Sequence, residues 1–320
     1  MQSMFQPQYS AMRVDTATRK TVYLLTCERK NLPITYCTLF FLLGQYRVSF
    51  IRNLSHVQVG DIVIPVDVKA HVLYYNASVH ETLDDKLLFY AHIQSRNIVE
   101  MCGNAIRLIP SYDDSYTGEN IHGKFILKHK HGLGSEGIIY KRGYVRDLVA
   151  RYRDYQIQDV LDIIEVHSVN CHVKNGKITA YVYYKSTPNR TVASYLVGVN
   201  DTIIEGIDRA MLRFCKLALR ATNYQGLVEF EFAHCRDGRM YIMECNPRMS
   251  GWAVYPNYFK TLIEKQYGVP SDYAEYHTRR KTFKPGRIIA TNNPVYNLFD
   301  YMRYRTYDVT YRTFQKNASV

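Results

Sequence analysis

The stretch Gly226-Leu-Val-Glu-Phe-Glu231-Phe, followed by Asp237-Gly238 and then Tyr241-Ile-Met-Glu244-Cys-Asn246-Pro-Arg248, decides the reading of this chain. Apolar runs flank an Asp-Gly turn, so Leu227–Ala233 and Met240–Glu244 are predicted to pair as a hairpin. Glu244 and Asn246 stand two apart and project from one face, and Glu231 on the partner strand can meet them across the ladder. Two carboxylates and an amide oxygen are hard ligands, suited to Mg²⁺ when phosphate oxygens and water complete its octahedron. Arg248, two further along, can reach a transferring phosphate through charge-assisted hydrogen bonds. A surface hairpin with solvated acids is the competing reading, but Glu-x-Asn-Pro-Arg is a costly way to end an ordinary edge strand.

Upstream, Lys124-Phe-Ile-Leu-Lys128-His-Lys-His-Gly132-Leu-Gly134-Ser135-Glu-Gly137 joins an apolar strand to a glycine-rich turn. Glycines let backbone N–H groups converge on an anion and let the chain approach a phosphate closely. The turn is neither a Walker A sequence nor a dinucleotide fingerprint, and taken alone it is a plain hairpin turn.

Working outward, Val22–Leu25, Tyr46–Ile51 and Asp61–Pro65 have strand character and Leu32–Leu43 helical character, which predicts a small α/β layer with parallel pairing. Leu83, Leu87, Leu88 and Ala91 predict a helix over Glu81–Gln94. Tyr155–Leu161, Ile163–Val173 and Ile178–Lys185 read as strands, the last two joined by Lys174-Asn-Gly-Lys177. Asp201–Thr222 is predicted as one helix, opened by Asp201-Thr202 with Glu205 three residues on. The fold class is therefore α/β (α+β).

Lys128 with the Gly132–Gly137 turn, followed about 100 residues later by Glu231 and Glu244-Cys-Asn246-Pro-Arg248, resembles the ATP-grasp superfamily. The resemblance is to the branch of biotin carboxylase and the carbamoyl phosphate synthetase large subunit, and it covers roughly residues 20–252. It implies an ATP-grasp fold behind a small pre-ATP-grasp layer. The implied parts are an arm at 1–20, an N-terminal domain at 21–80, a small lobe at 81–185 and a large lobe at 186–320.

The resemblance also implies site residues. Lys86 and Lys128, with Gly132, Gly134, Ser135 and Gly137, would hold the ATP phosphates; Lys86 otherwise flanks a helix N-terminus. Gln158 and Val160 lie on a strand like the one whose backbone pairs with adenine, and Glu165 matches the ribose ligand or is an ordinary strand acid. Glu231, Glu244 and Asn246 would bind Mg²⁺, or Mn²⁺, and Arg248 and Asn246 would act on the phosphoryl group. The implied activity is that of a carbon–nitrogen ligase, with small-molecule or peptide carboxylate and amine substrates. The alternatives are a kinase of the same fold, or a non-catalytic ATP-binding or basic scaffold protein. Two departures stand out: Lys128-His-Lys-His replaces the usual small residues, and no glycine-rich turn follows Val22–Leu25.

Of the 320 residues, 47% are hydrophobic and 22% charged, a folded globular composition. The net charge of +12 admits a nucleic-acid partner, but Lys and Arg are spread along the chain and no nucleic-acid-binding signature stands out. Arg279–Arg287 and Tyr301–Arg312 are where a macromolecular partner would bind, or are equally a solvated surface or packing against the rest of the fold, and a homodimer is admitted. Seven cysteines form no C-x-x-C pair, which argues against a zinc knuckle. The longest apolar run, Tyr36–Gly44, is short of the ~20 residues of a membrane helix. The expectation is a cytoplasmic protein with reduced thiols.

Overall fold

The computed structural model describes residues 21–27, 47–130, 138–186, 202–203, 207–220, 222–250 and 258–269. The predicted helix at 32–43, the glycine-rich turn, the N-terminal arm and most of the tail beyond 255, including both basic segments, lie outside these residues.

Strands β1 (Thr21–Leu25), β2 (Arg47–Ile51) and β3 (Ile62–Pro65) form a parallel sheet of order β2-β1-β3, as their apolar runs predict. Helix α1 (Val68–Tyr75) follows, its N-terminus held by Asp67, whose Oδ1 accepts the Ala70 N–H at 2.8 Å. The helix predicted over 81–94 is two helices, α2 (Val79–Asp84) and α3 (Lys86–Ser95). Asp85 separates them: its backbone is extended, and its carboxylate accepts the N–H groups of Leu87 and Leu88. The acid thus ends one helix and caps the next. A short α4 (Ile98–Met101) leads into β4 (Ile106–Leu108).

A four-stranded antiparallel sheet has the order β5 (Ser111–Tyr112), β8 (Tyr155–Asp159), β6 (His122–His129), β7 (Ile138–Tyr144). Helix α5 (Val145–Arg151) covers one face, where Val145 and Leu148 meet Phe125, Leu127 and Ile157. Alternation sends Ile126, Lys128, Gln156 and Gln158 to the other face, and Lys128 is the cross-strand partner of Gln156.

The third sheet has six strands. Its order is β11 (Thr202–Ile203), β10 (Lys177–Ser186), β9 (Ile163–Lys174), β12 (Gly226–Cys235), β13 (Met240–Asn246), β4. All its pairs are antiparallel except β13 with β4. The lobe boundary expected at 185/186 does not separate the sheets, because β9 and β10 join β12 and β13; the chain enters the four-stranded sheet after β4 and leaves it between β8 and β9. One face of this sheet carries Val169, Cys171, Val228, Phe230, Phe232 and Ile242 into the main core. They meet Phe89 and Ile93 of α3 and Phe214 and Ala218 of α6 (Arg209–Arg220).

Helix α6 does not begin at 201. Thr202 and Ile203 are β11, paired to β10, and the helix opens after Asp208, whose Oδ1 accepts the Ala210 N–H at 2.6 Å. Asp201 and Glu205 lie outside the described residues. β-branched Thr202 and Ile203 suit a strand better than a first helical turn, and the open edge of β10 supplies their partners.

Hydrogen bonds tie the segment that follows the parallel sheet to this frame. The Met249 N–H donates to Val66 O at 3.1 Å, and the Leu227 N–H donates to His71 Nε2 at 3.2 Å. The described cysteines are all free thiols. Among the described residues no helix is long and apolar enough to cross a membrane.

Candidate active site

The hairpin β12–β13 is not regular. His234, Ala233 and Phe232 pair with Met240, Tyr241 and Ile242, but Glu231 pairs with Glu244 and Glu229 with Asn246. Met243 is the extra residue of a β-bulge. In an unbroken register Glu244 would lie opposite Phe230 and point into the helix-covered core. The bulge reverses the parity, so Glu244 and Asn246 share a face with Glu229 and Glu231.

Three carboxylates thereby converge on one amide. Asn246 Nδ2 lies 3.2 Å from Glu229 Oε2, 3.4 Å from Glu231 Oε1 and 3.3 Å from Glu244 Oε1. Glu229 is fixed from behind: Ser168 Oγ donates to its Oε1 at 2.6 Å, Asn170 Nδ2 to Ser168 Oγ, and Ser250 Oγ to Asn170 Oδ1. Burial, then the charges of Glu229 and Glu244, push the Glu231 carboxyl well above the usual range. Burial likewise raises Glu229, to about 7, against its hydrogen bond from Ser168. Burial would raise Glu244 too, but Lys86, Lys128 and Arg248 hold it below its ordinary value. Buried like charges this close call for a cation between them. The chemistry of the set fits Mg²⁺: all donors are oxygens once the Asn246 amide turns to present Oδ1.

Cationic side chains border the acids. Lys86, the first residue of α3, places Nζ 3.6 Å from Glu244 Oε2. Lys128 is buried on the inward face of the four-stranded sheet and interacts electrostatically with Glu244, Lys86 and Glu231; burial lowers its pKa most. The two sheets therefore meet across this charge cluster. Arg248 Nη1 donates to Asp84 Oδ1 at 3.0 Å, which aims the guanidinium while its charge acts on all three glutamates.

The expected positions thus divide. Lys86, Lys128, Glu231, Glu244, Asn246 and Arg248 are brought together. Gly132, Gly134, Ser135 and Gly137 lie outside the described residues. Gln158 is buried on the same face as Lys128, its Nε2 donating to Tyr90 Oη at 2.9 Å, while its Oε1 makes no hydrogen bond. Val160 is exposed and borders an open pocket with Asp162, Arg236 and Tyr241.

Glu165 is not with them. It pairs across the ladder with His234, and its parity sets it on the face opposite Ser168 and Glu231, against Lys185 and His167. The ribose role expected for it is not supported by this placement, because unbroken alternation along β9 sets Glu165 on the face opposite Ser168.

Two site residues escaped the sequence reading. Glu229 was legible, since Glu229-x-Glu231 is an i, i+2 pair on one strand. Gln156 left no such signal. It is fully buried beside Lys128, and both its amide Nε2 and Oε1 are without a hydrogen-bond partner among the described residues.

No protein-family model matches the chain. No curated protein matches it. Among solved structures, the chain is similar to an L-amino acid ligase from Bacillus licheniformis (13% identity, 74% of this chain and 68% of that one, TM-score 0.45). It is also similar to D-alanyl-alanine synthetase A from Vibrio cholerae (12%, 79% and 94%, TM-score 0.48). A third is a biotin carboxylase from Campylobacter jejuni (13%, 78% and 70%, TM-score 0.49). These are ATP-grasp enzymes. At such values the similarity is distant, and the functional reading stands on the geometry of the site.

Proposed function

We propose that the chain is an Mg-ATP-dependent ligase of the ATP-grasp type, which activates a carboxylate for attack by an amine. The observation that carries this reading is the meeting of Glu229, Glu231, Glu244 and Asn246 with Lys86, Lys128 and Arg248 in a largely buried cluster. Three acids with three cations at one seam between sheets match a phosphate chain and its metal, each sign having its partner.

Lys86 and Lys128 hold phosphate oxygens from the side of the small sheet. Glu231, Glu244 and Asn246, with Glu229 supporting Asn246, hold the metal on the other side. When bound, Mg²⁺ neutralises charge on the phosphate oxygens. Gln156 and Gln158, buried with unpaired amide atoms next to Lys128, offer a donor and acceptors to the rest of the nucleotide; an orphaned buried amide costs about 1–3 kcal/mol unless a ligand pairs with it. Arg248, aimed by Asp84, stabilises the phosphoryl group as the bond to ADP breaks and the bond to the substrate carboxylate oxygen forms. The amine then attacks the acyl carbon, inorganic phosphate leaves with the C–O bonding pair, and the nitrogen gives up its proton.

The test is a screen for ADP release with Mg-ATP across amino acids, dipeptides and other small carboxylic acids, each with amine acceptors. ADP formed one-for-one with an amide establishes the ligase. A stable phosphorylated product without an acceptor shows a kinase instead, and failure to bind Mg-ATP at all overturns the reading.

A further inference from the structure

We propose that Glu165, His167 and His234 form a binding site for a divalent transition metal of the zinc class, on the face of the six-stranded sheet opposite the carboxylate cluster. The site is independent of the nucleotide reading, and its residues belong to two strands. Glu165 and His167 are i, i+2 on β9 and project together, and His234 on β12 is the cross-strand partner of Glu165.

The geometry brings the three ligand atoms close enough to share one ion. Glu165 Oε2 lies 3.4 Å from His167 Nε2 and 3.3 Å from His234 Nδ1. All three ligand atoms fall within 4.8 Å of one another. Metal–ligand bonds of about 2.0–2.1 Å in a tetrahedron set ligand atoms roughly 3.3 Å apart, so one ion can touch all three with small adjustments.

The surroundings orient these atoms. His167 Nδ1 is hydrogen-bonded to the Tyr183 hydroxyl. With that nitrogen as the donor, Nε2 carries the lone pair and faces Glu165. Among the described residues Nε2 is buried and makes no well-directed hydrogen bond, its polar neighbour being Glu165 Oε2 at 3.4 Å, so in this tautomer its lone pair is available to a metal. Lys185 Nζ is paired with Glu165 Oε1, the oxygen turned away from the histidines, which leaves Oε2 as the atom shared by both rings. The side chains of Glu165 and His234 are 25% and 32% exposed, so the ion has a route from solvent, and water can complete its shell.

Two imidazoles and one carboxylate suit Zn²⁺, or Co²⁺ in its place, over Mg²⁺. Lys185 works against a cation and moderates the affinity. Binding would clamp β9 to β12, the strand that also carries Glu229 and Glu231 on its other face.

The test titrates Co²⁺ into chelator-treated full-length chain, with excess Mg²⁺ to fill the all-oxygen site, and follows the visible absorption of cobalt. The expected result is uptake of about one equivalent, a higher Tm with the metal, and competition by Zn²⁺. His234→Gln, chosen because the residue is partly exposed, and Glu165→Gln should each weaken Co²⁺ binding roughly tenfold or more; Lys185→Met should strengthen it. Glu231→Gln should leave the cobalt spectrum unchanged. Absence of saturable Co²⁺ uptake, or uptake that His234→Gln and Glu165→Gln do not alter, overturns the proposal and leaves the cluster as an ion pair of Glu165 with Lys185.

Discussion

Asn246 stands directly opposite Glu229 across the β12–β13 ladder, with its amide nitrogen 3.2 Å from that carboxylate, and the same nitrogen reaches Glu231 and Glu244. One amide thus spans three acids, Glu229 buried and Glu231 and Glu244 half-buried. The arrangement is electrostatically unfavourable by itself and becomes favourable with a cation, the behaviour expected of a metal site formed before its ion arrives.

Glu231→Gln should therefore separate stability from function. Its carboxyl is pushed up by burial and by its acidic neighbours, so the ionised form opposes folding at neutral pH. The variant should raise the Tm of the metal-free chain by roughly 2–4 °C and abolish the further rise that Mg²⁺ produces. Scanning calorimetry with and without Mg²⁺ checks this; a lower metal-free Tm would contradict it.

Glu244→Gln and Asn246→Ala should lower ADP formation by about 10²-fold or more with the fold intact. Mn²⁺ binding followed by electron paramagnetic resonance should be lost in parallel. Full turnover in either variant at saturating Mg²⁺ would remove the metal site.

Arg248→Ala should lower turnover by about 10²–10³-fold and ATP affinity much less, if the guanidinium held by Asp84 acts on the phosphoryl group as proposed. Steady-state kinetics beside equilibrium nucleotide binding separates the two effects. An unchanged kcat would contradict the role.

Gln156→Leu removes an amide that is buried without partners among the described residues. The metal-free chain should become as stable or more stable in urea, since an orphaned polar group costs about 1–3 kcal/mol, while ATP affinity should fall roughly tenfold. Unchanged ATP binding would leave Gln156 outside the nucleotide site.

Acid should weaken the fold through His71. This ring is completely buried, with Nδ1 hydrogen-bonded to Asp67 O and Nε2 accepting from Leu227 N, so both nitrogens are committed in the neutral form. Burial lowers its pKa from 6.5 to about 3. Its contribution is thus whole above pH 6.5 and is lost as pH falls from there toward 3, at roughly 1.4 kcal/mol per pH unit. Denaturation of wild type and His71→Gln between pH 7 and 4 should show a flatter dependence in the variant.

Much of the fold was legible because periodicity and punctuation are local. The strands on either side of Lys174-Asn-Gly-Lys177 lie where alternation put them, and the turn has Asn175 at φ 50° and Gly176 at φ 69°. The start of α6 was misread because the Asp201-Thr202 pattern also suits a strand when an open sheet edge is near, and that edge belongs to β10, earlier in the chain. Gly226 shows the same limit. Its φ of +100° suits glycine, but the closeness of its missing side chain to His71 Cδ2, 2.6 Å away, depends on a helix some 150 residues upstream.

By itself, the amino-acid sequence determined the chemistry of the site: which acids, which amide and which cations are present, and that Glu244, Asn246 and Arg248 lie on or just after the strand that follows an Asp-Gly turn. Only the tertiary structure decided which of them meet. Side-chain direction in a strand depends on parity, and one bulged residue, Met243, brings Glu244 to the face of Glu231, while unbroken parity along β9 turns Glu165 away to His167 and His234. Parity is set by pairing with strands distant in sequence, and that information is absent from any local stretch of residues.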